Sequence, residues 1–129
     1  MIQSFNTQKV LPSSFSISTK EFGSLTAYVL SNETTGESAT IVPALGAMLN
    51  SLSLRKGTSL FEIIDGSKTE LEAKEDGTKM YKSRIIFPYP NRIKQGLYIF
   101  DGKMYKFNTN DEDNSLHGFC ENANFNLLG

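Results

Sequence analysis

Leu97-Tyr98-Ile99-Phe100-Asp101-Gly102-Lys103-Met104-Tyr105-Lys106-Phe107 is the stretch whose reading decides the fold. Two strand-forming runs flank an Asp-Gly pair. A two-residue hairpin loop of type I′ needs positive φ at both central residues, and Gly102 takes that conformation without a Cβ clash. Residues 97–107 therefore predict a β-hairpin.

Working outward, the dominant period is two. In residues 25–30 (LTAYVL) Leu25, Ala27 and Val29 share one face, and Thr26, Tyr28 and Leu30 the other. Residues 39–42 form a short run closed by Pro43. Residues 48–54 (MLNSLSL) place Met48, Leu52 and Leu54 on one face, interrupted by Asn50. Residues 61–64 and 84–87 are further short apolar runs. Each run is bounded by Gly, Pro, Asn or Ser, which is strand behaviour. Residues 67–79 are rich in Lys, Glu, Asp and Gly and read as a solvated loop, with at most a turn of helix around Leu71. Residues 108–115 (NTNDEDNS) read as an acidic loop. Residues 125–128 read as the start of another strand, whose open edge invites pairing with a second copy of the chain. The fold class is mostly β, an antiparallel β-sandwich.

Composition removes several function classes. Lys and Arg number 13 against 14 Asp and Glu, a net charge of -1, so no electrostatic footprint for nucleic acid or an anionic membrane is present. No apolar run is long enough to span a bilayer. Residues 1–10 lack the basic and apolar regions of a signal peptide. A single cysteine, Cys120, allows no internal disulfide, which fits a reducing compartment. The expected location is the cytoplasm.

The single histidine, His117, excludes any site built on two histidines of these residues, and with one cysteine it makes no structural zinc site. Phosphate-binding glycine loops, nucleophile elbows and HExxH are absent as motifs. Asp111, Glu112 and Asp113 read as a solvated acidic loop rather than a calcium site. Cys120 reads as a small buried residue rather than a nucleophile.

Two clusters remain. In Phe87-Pro88-Tyr89-Pro90-Asn91-Arg92, the prolines remove two backbone donors and force extended or turn geometry, so Asn91 and Arg92 stand on a stiff loop. A guanidinium fork and a carboxamide suit a polyol, whose hydroxyls both give and accept hydrogen bonds. The competing reading pairs Arg92 with a structural carboxylate and packs Tyr89 in the core. In Asn114-Ser115-Leu116-His117-Gly118, an imidazole beside a glycine is equipped to donate to a sugar oxygen or to move a proton, or is simply a turn histidine.

Taken together, P-N-R-I-x-x-G-x-Y-x-F-x-G-x-x-Y from Pro90 to Tyr105, then Asn110 and Leu116-His117-Gly118, resembles the signature region of the aldose 1-epimerase (galactose mutarotase) family. Upstream, Pro43-Ala44-Leu45-Gly46-Ala47 followed by Leu52 and Leu54 resembles the family's early P-x-x-G-A segment and the strand after it. The resemblance covers roughly residues 23–118. It implies a galactose mutarotase-like supersandwich and the interconversion of α and β anomers of aldohexoses such as galactose or glucose. A base takes the proton of the anomeric hydroxyl, an acid protonates the ring oxygen, the ring opens, and it closes on the other face. No metal or organic cofactor is implied.

The resemblance assigns sugar contact to Arg92 and His117, with Asn91 beside them, and gives His117 a catalytic role. The family's catalytic acid, a second histidine, and its glutamate base come from later segments. The expectation is therefore one β domain over residues 1–129, an incomplete amino-terminal portion of a larger domain, with little turnover of its own. A monosaccharide is the expected partner, and a homodimer through open β edges is a further expectation. The alternative is a non-catalytic carbohydrate-binding or oligomerising β-sandwich module.

Overall fold

The computed structural model describes residues 14–77 and 80–128, the side chains of residues 76 and 77 excepted. The reading of residues 1–10 as free of a signal peptide lies outside them.

Five antiparallel strands form a meander in the order of the chain: β1 (Phe15–Phe22), β2 (Leu25–Asn32), β3 (Ser38–Val42), β4 (Met48–Lys56) and β5 (Ser59–Glu62). Sequential antiparallel pairing needs only tight turns, which the Gly and Asn punctuation supplies. One face is the core. Ala27, Val42 and Met48 are buried, and the pairing of Val42 with Met48 sets two of them side by side. Phe22 and Leu45 close the cluster, and Ala73 packs onto it from the helix α1 (Glu70–Gly77). On the other face Ile17 opposes Leu30, which opposes Ala39, which opposes Leu52. A one-residue irregularity between Thr40 and Ile41, which leaves Asn50 unpaired, puts Met48 and Leu52 on opposite faces, where the sequence pattern had them share one.

A second region carries two short sheets. β6 (Arg92–Ile93) pairs with β9 (Ser115–Leu116), and β7 (Leu97–Phe100) pairs with β8 (Lys103–Lys106). Short 3₁₀ turns at Pro43–Leu45 and Lys94–Gly96 complete the described elements. The architecture is mostly β with antiparallel sheets, as the sequence led us to expect.

The β7–β8 hairpin forms with Asp101 and Gly102 both at positive φ, 49° and 70°. Four further readings need correction. Residues 67–79 contain a true helix rather than a loop. Its packing rests on Ala73, the one buried side chain among those described in the helix, so the amphipathic signal was weak. Its stability comes from polar fixing: Thr69 Oγ1 accepts from the Glu72 amide at 3.1 Å, and Glu70 bonds Lys74 one turn on. Residues 84–87 are not a strand. Ile85, Ile86 and Phe87 are exposed, whereas the charged Arg84 is buried. Residues 125–128 form no strand; the Phe125 amide donates to the Pro43 carbonyl at 3.2 Å. Cys120 is half-buried rather than buried.

The Asn50 that interrupts β4 has a structural use. Its carboxamide donates to the Ser67 carbonyl at 3.0 Å and accepts from the Ser67 amide at 2.9 Å, fixing the lead into α1.

Candidate functional site

The two clusters singled out in the sequence meet. The chain leaves Phe87 through a cis Phe87–Pro88 bond, runs through Tyr89, and reaches Asn91 in the left-handed region at φ 60°. His117 is left-handed as well, also at φ 60°. These two residues extend the β6–β9 pairing by a reciprocal contact. The His117 amide donates to the Asn91 carbonyl at 3.0 Å, and the Asn91 amide donates to His117 Nδ1 at 2.9 Å.

That second bond favours one tautomer of the imidazole. Nδ1 accepts the hydrogen bond, which requires that it carry no hydrogen, so the favoured neutral form has its N–H on Nε2. Nε2 makes no hydrogen bond among the described residues, leaving a fixed donor for another acceptor.

Gly118 holds the junction together. Its φ is 74°, and a Cβ there would lie 1.9 Å from the Phe87 carbonyl oxygen. The Phe119 amide then donates to that same carbonyl at 2.8 Å. From the other side, Asn110 clamps Leu116, accepting from its amide at 2.7 Å and donating to its carbonyl at 3.0 Å.

Arg92 stands at the start of β6, opposite Leu116, the residue before His117 in the chain. Its Nε donates to Asp111 Oδ2 at 2.5 Å. The Asp111 bond and charge raise the guanidinium's pKa, so it stays a cation. The Nη groups make no hydrogen bond among the described residues. The reading of Arg92 as the partner of a structural carboxylate therefore holds for Nε and leaves the outer fork of donors available. Tyr89 takes its structural role: its hydroxyl and Ser115 Oγ lie 2.5 Å apart, and its ring stacks on Phe107 at 5.5 Å. Phe119 meets both rings edge-on, and Tyr98 stacks on Phe107 at 5.1 Å, so an aromatic row supports β6 and β9 from the hairpin side.

Two residues of this patch carried no signal in the sequence. The ring of Tyr81 meets that of His117 edge-on, with centroids 4.6 Å apart and planes at 74°. Burial raises the Tyr81 phenol's pKa, the charges of Glu121 and Asp111 add to the rise, and Arg92 opposes it. Glu121 has a buried Oε2 with no hydrogen-bond partner. Burial raises its carboxyl pKa, against the charges of Arg84 and His117. Both act through space on residues distant in sequence, so only a folded structure reveals them.

Asn91 and Arg92 are exposed and His117 is half-buried. A cleft of about 930 Å³ is lined by Gln95, Lys106, Asn108, Thr109 and Asp113 among others, and by neither Arg92 nor His117. No group of three or more metal-ligating side chains lies close enough to hold an ion among the described residues. No helix among them is long and apolar enough to cross a membrane.

The fold is an antiparallel β protein, and a short β-pairing brings Asn91, Arg92, Leu116 and His117 together. The aldose 1-epimerase family matches residues 26–129. The chain belongs to that family.

Proposed function

We propose that these residues carry the sugar-contacting part of an aldose 1-epimerase acting on an aldohexose such as galactose or glucose. Arg92 offers its Nη groups to sugar hydroxyls, and His117 offers Nε2–H to an oxygen of the pyranose at or near the anomeric centre. Asn91 acts through its backbone, fixing the imidazole while its side-chain Oδ1 accepts from the Arg92 amide at 2.9 Å. The observation that carries the reading is the reciprocal Asn91–His117 pair, which extends the β6–β9 pairing that holds Arg92.

Ring opening needs one group to take the anomeric proton and another to protonate the ring oxygen. Residues 1–129 contain one imidazole, so they do not supply two histidines. In this reading His117 binds and polarises rather than serving as the acid or the base, and the present residues form one β domain that supplies sugar contacts. A cytoplasmic setting and pairing through the β1 or β5 edge belong to the same proposal.

Calorimetric titration with D-galactose tests it. Saturable binding is expected, and Arg92→Ala weakens it by at least about tenfold, the loss of a charge-assisted hydrogen bond of about 1.5–3 kcal/mol. Equal affinity in wild type and Arg92→Ala removes Arg92 from the site. Absence of binding up to high millimolar sugar removes the reading.

A further inference from the structure

We propose that Tyr81 is the positioning residue for His117, its ring edge fixing the imidazole plane so that Nε2–H points at the sugar; this rests on the sugar-site reading above. A single hydrogen bond at Nδ1 leaves the ring free to rock and to leave that bond unless a second contact holds its plane. The edge contact with Tyr81, at 4.6 Å and 74°, removes the remaining freedom.

The backbone around Tyr81 is built for this contact. Tyr81 sits at φ 50° and Ser83 at φ 50°, the left-handed region that a bulky residue rarely enters. Such conformations persist where surrounding bonds over-determine them. Here the surrounding bond is Arg84, whose amide donates to the Tyr81 carbonyl at 3.2 Å. Its buried guanidinium donates to the carbonyls of Leu45, Glu121 and Ala73 at 2.8, 2.9 and 2.7 Å. Two left-handed non-glycine residues, Tyr81 and Asn91, thus converge on the imidazole of His117, which is itself left-handed. Tyr81 lies outside the buried hydrophobic cluster, so packing of that core does not account for its placement.

His117 is the only imidazole in the chain, so its ring-nitrogen signals in a ¹⁵N NMR spectrum of the full chain need no assignment. The wild type is expected to show the Nε2–H tautomer. Tyr81→Phe keeps the ring edge and is expected to keep both that tautomer and the affinity for D-galactose. Tyr81→Leu keeps bulk without a ring edge. It is expected to give a mixture of tautomers and to weaken galactose binding by about tenfold, the cost of ordering one side chain on binding. The β1–β5 amide pattern checks that each variant is folded, and Tyr81→Met replaces Tyr81→Leu if the latter is not. A wild-type tautomer signature in the ringless variant overturns the proposal, as does loss of the signature in Tyr81→Phe. If the wild type binds no galactose, the sugar-site reading fails, while the tautomer spectra still decide what Tyr81 does to His117.

Discussion

At the scale of single residues, Gly118 is where sequence and site chemistry join. Its backbone needs a positive φ, and a Cβ would meet the Phe87 carbonyl oxygen at 1.9 Å. Gly118→Ala therefore forces strand and loop apart, and the expected cost is about 2 kcal/mol or more, from strained backbone together with a steric clash. The amide signals of Asn91 and His117 should shift well beyond those of β1–β5. A variant as stable as wild type, with those two amides unmoved, contradicts the role given to this glycine. The Leu116-His117-Gly118 motif was legible because the glycine is required by backbone geometry, which leaves a mark on the sequence. Tyr81 and Glu121 were not legible. Their placement depends on carbonyls of Leu45 and Ala73 that Arg84 gathers from distant segments.

Among the elements, the β7–β8 hairpin was readable because its turn chemistry is local: two residues decide it. The helix α1 was misread for the converse reason. Among its described side chains only Ala73 is buried and no apolar stripe shows, so periodicity had nothing to report. What holds α1 to the β1–β2 turn is Glu70, whose Oε2 accepts from the Ser24 amide at 2.6 Å and the Ser24 hydroxyl at 2.9 Å. The bond from Lys74 foremost, then those from Ser24, lower the Glu70 carboxyl's pKa from 4.5 to about 2. The unfolded chain thus binds a proton before the folded one does. Stability from this contact is complete above pH 4.5 and is lost as pH falls toward about 2. Thermal melts across that window should fall more steeply for wild type than for Glu70→Gln, which keeps an acceptor for Ser24 but has no charge to titrate. Parallel slopes would remove Glu70 as the source. The run at residues 84–87 was misread as a strand because its three apolar side chains outvoted one arginine, and the arginine is the residue the fold buries.

For the whole molecule, that arginine fastens the sheet half to the site half. Arg84 joins the 3₁₀ turn at Leu45, the helix at Ala73 and the segment after His117 at Glu121. Burial lowers its pKa and the Glu121 charge offsets this in part. Replacing it with leucine leaves three carbonyls without their donor, at about 1–3 kcal/mol each. Against a typical domain stability of about 5–15 kcal/mol, Arg84→Leu should lower the unfolding midpoint sharply or prevent folding. A loss of under about 1 kcal/mol would show the two halves to be joined by other contacts. The central claim is that Asn91, Arg92 and His117 form one aldose-binding patch. Its most direct test is an amide and imidazole NMR titration of the full chain with D-galactose. The account predicts saturable shifts at the Asn91 and Arg92 amides and at His117 Nε2, with β1–β5 unmoved. Shifts confined to other residues, or none at any attainable sugar concentration, would contradict it.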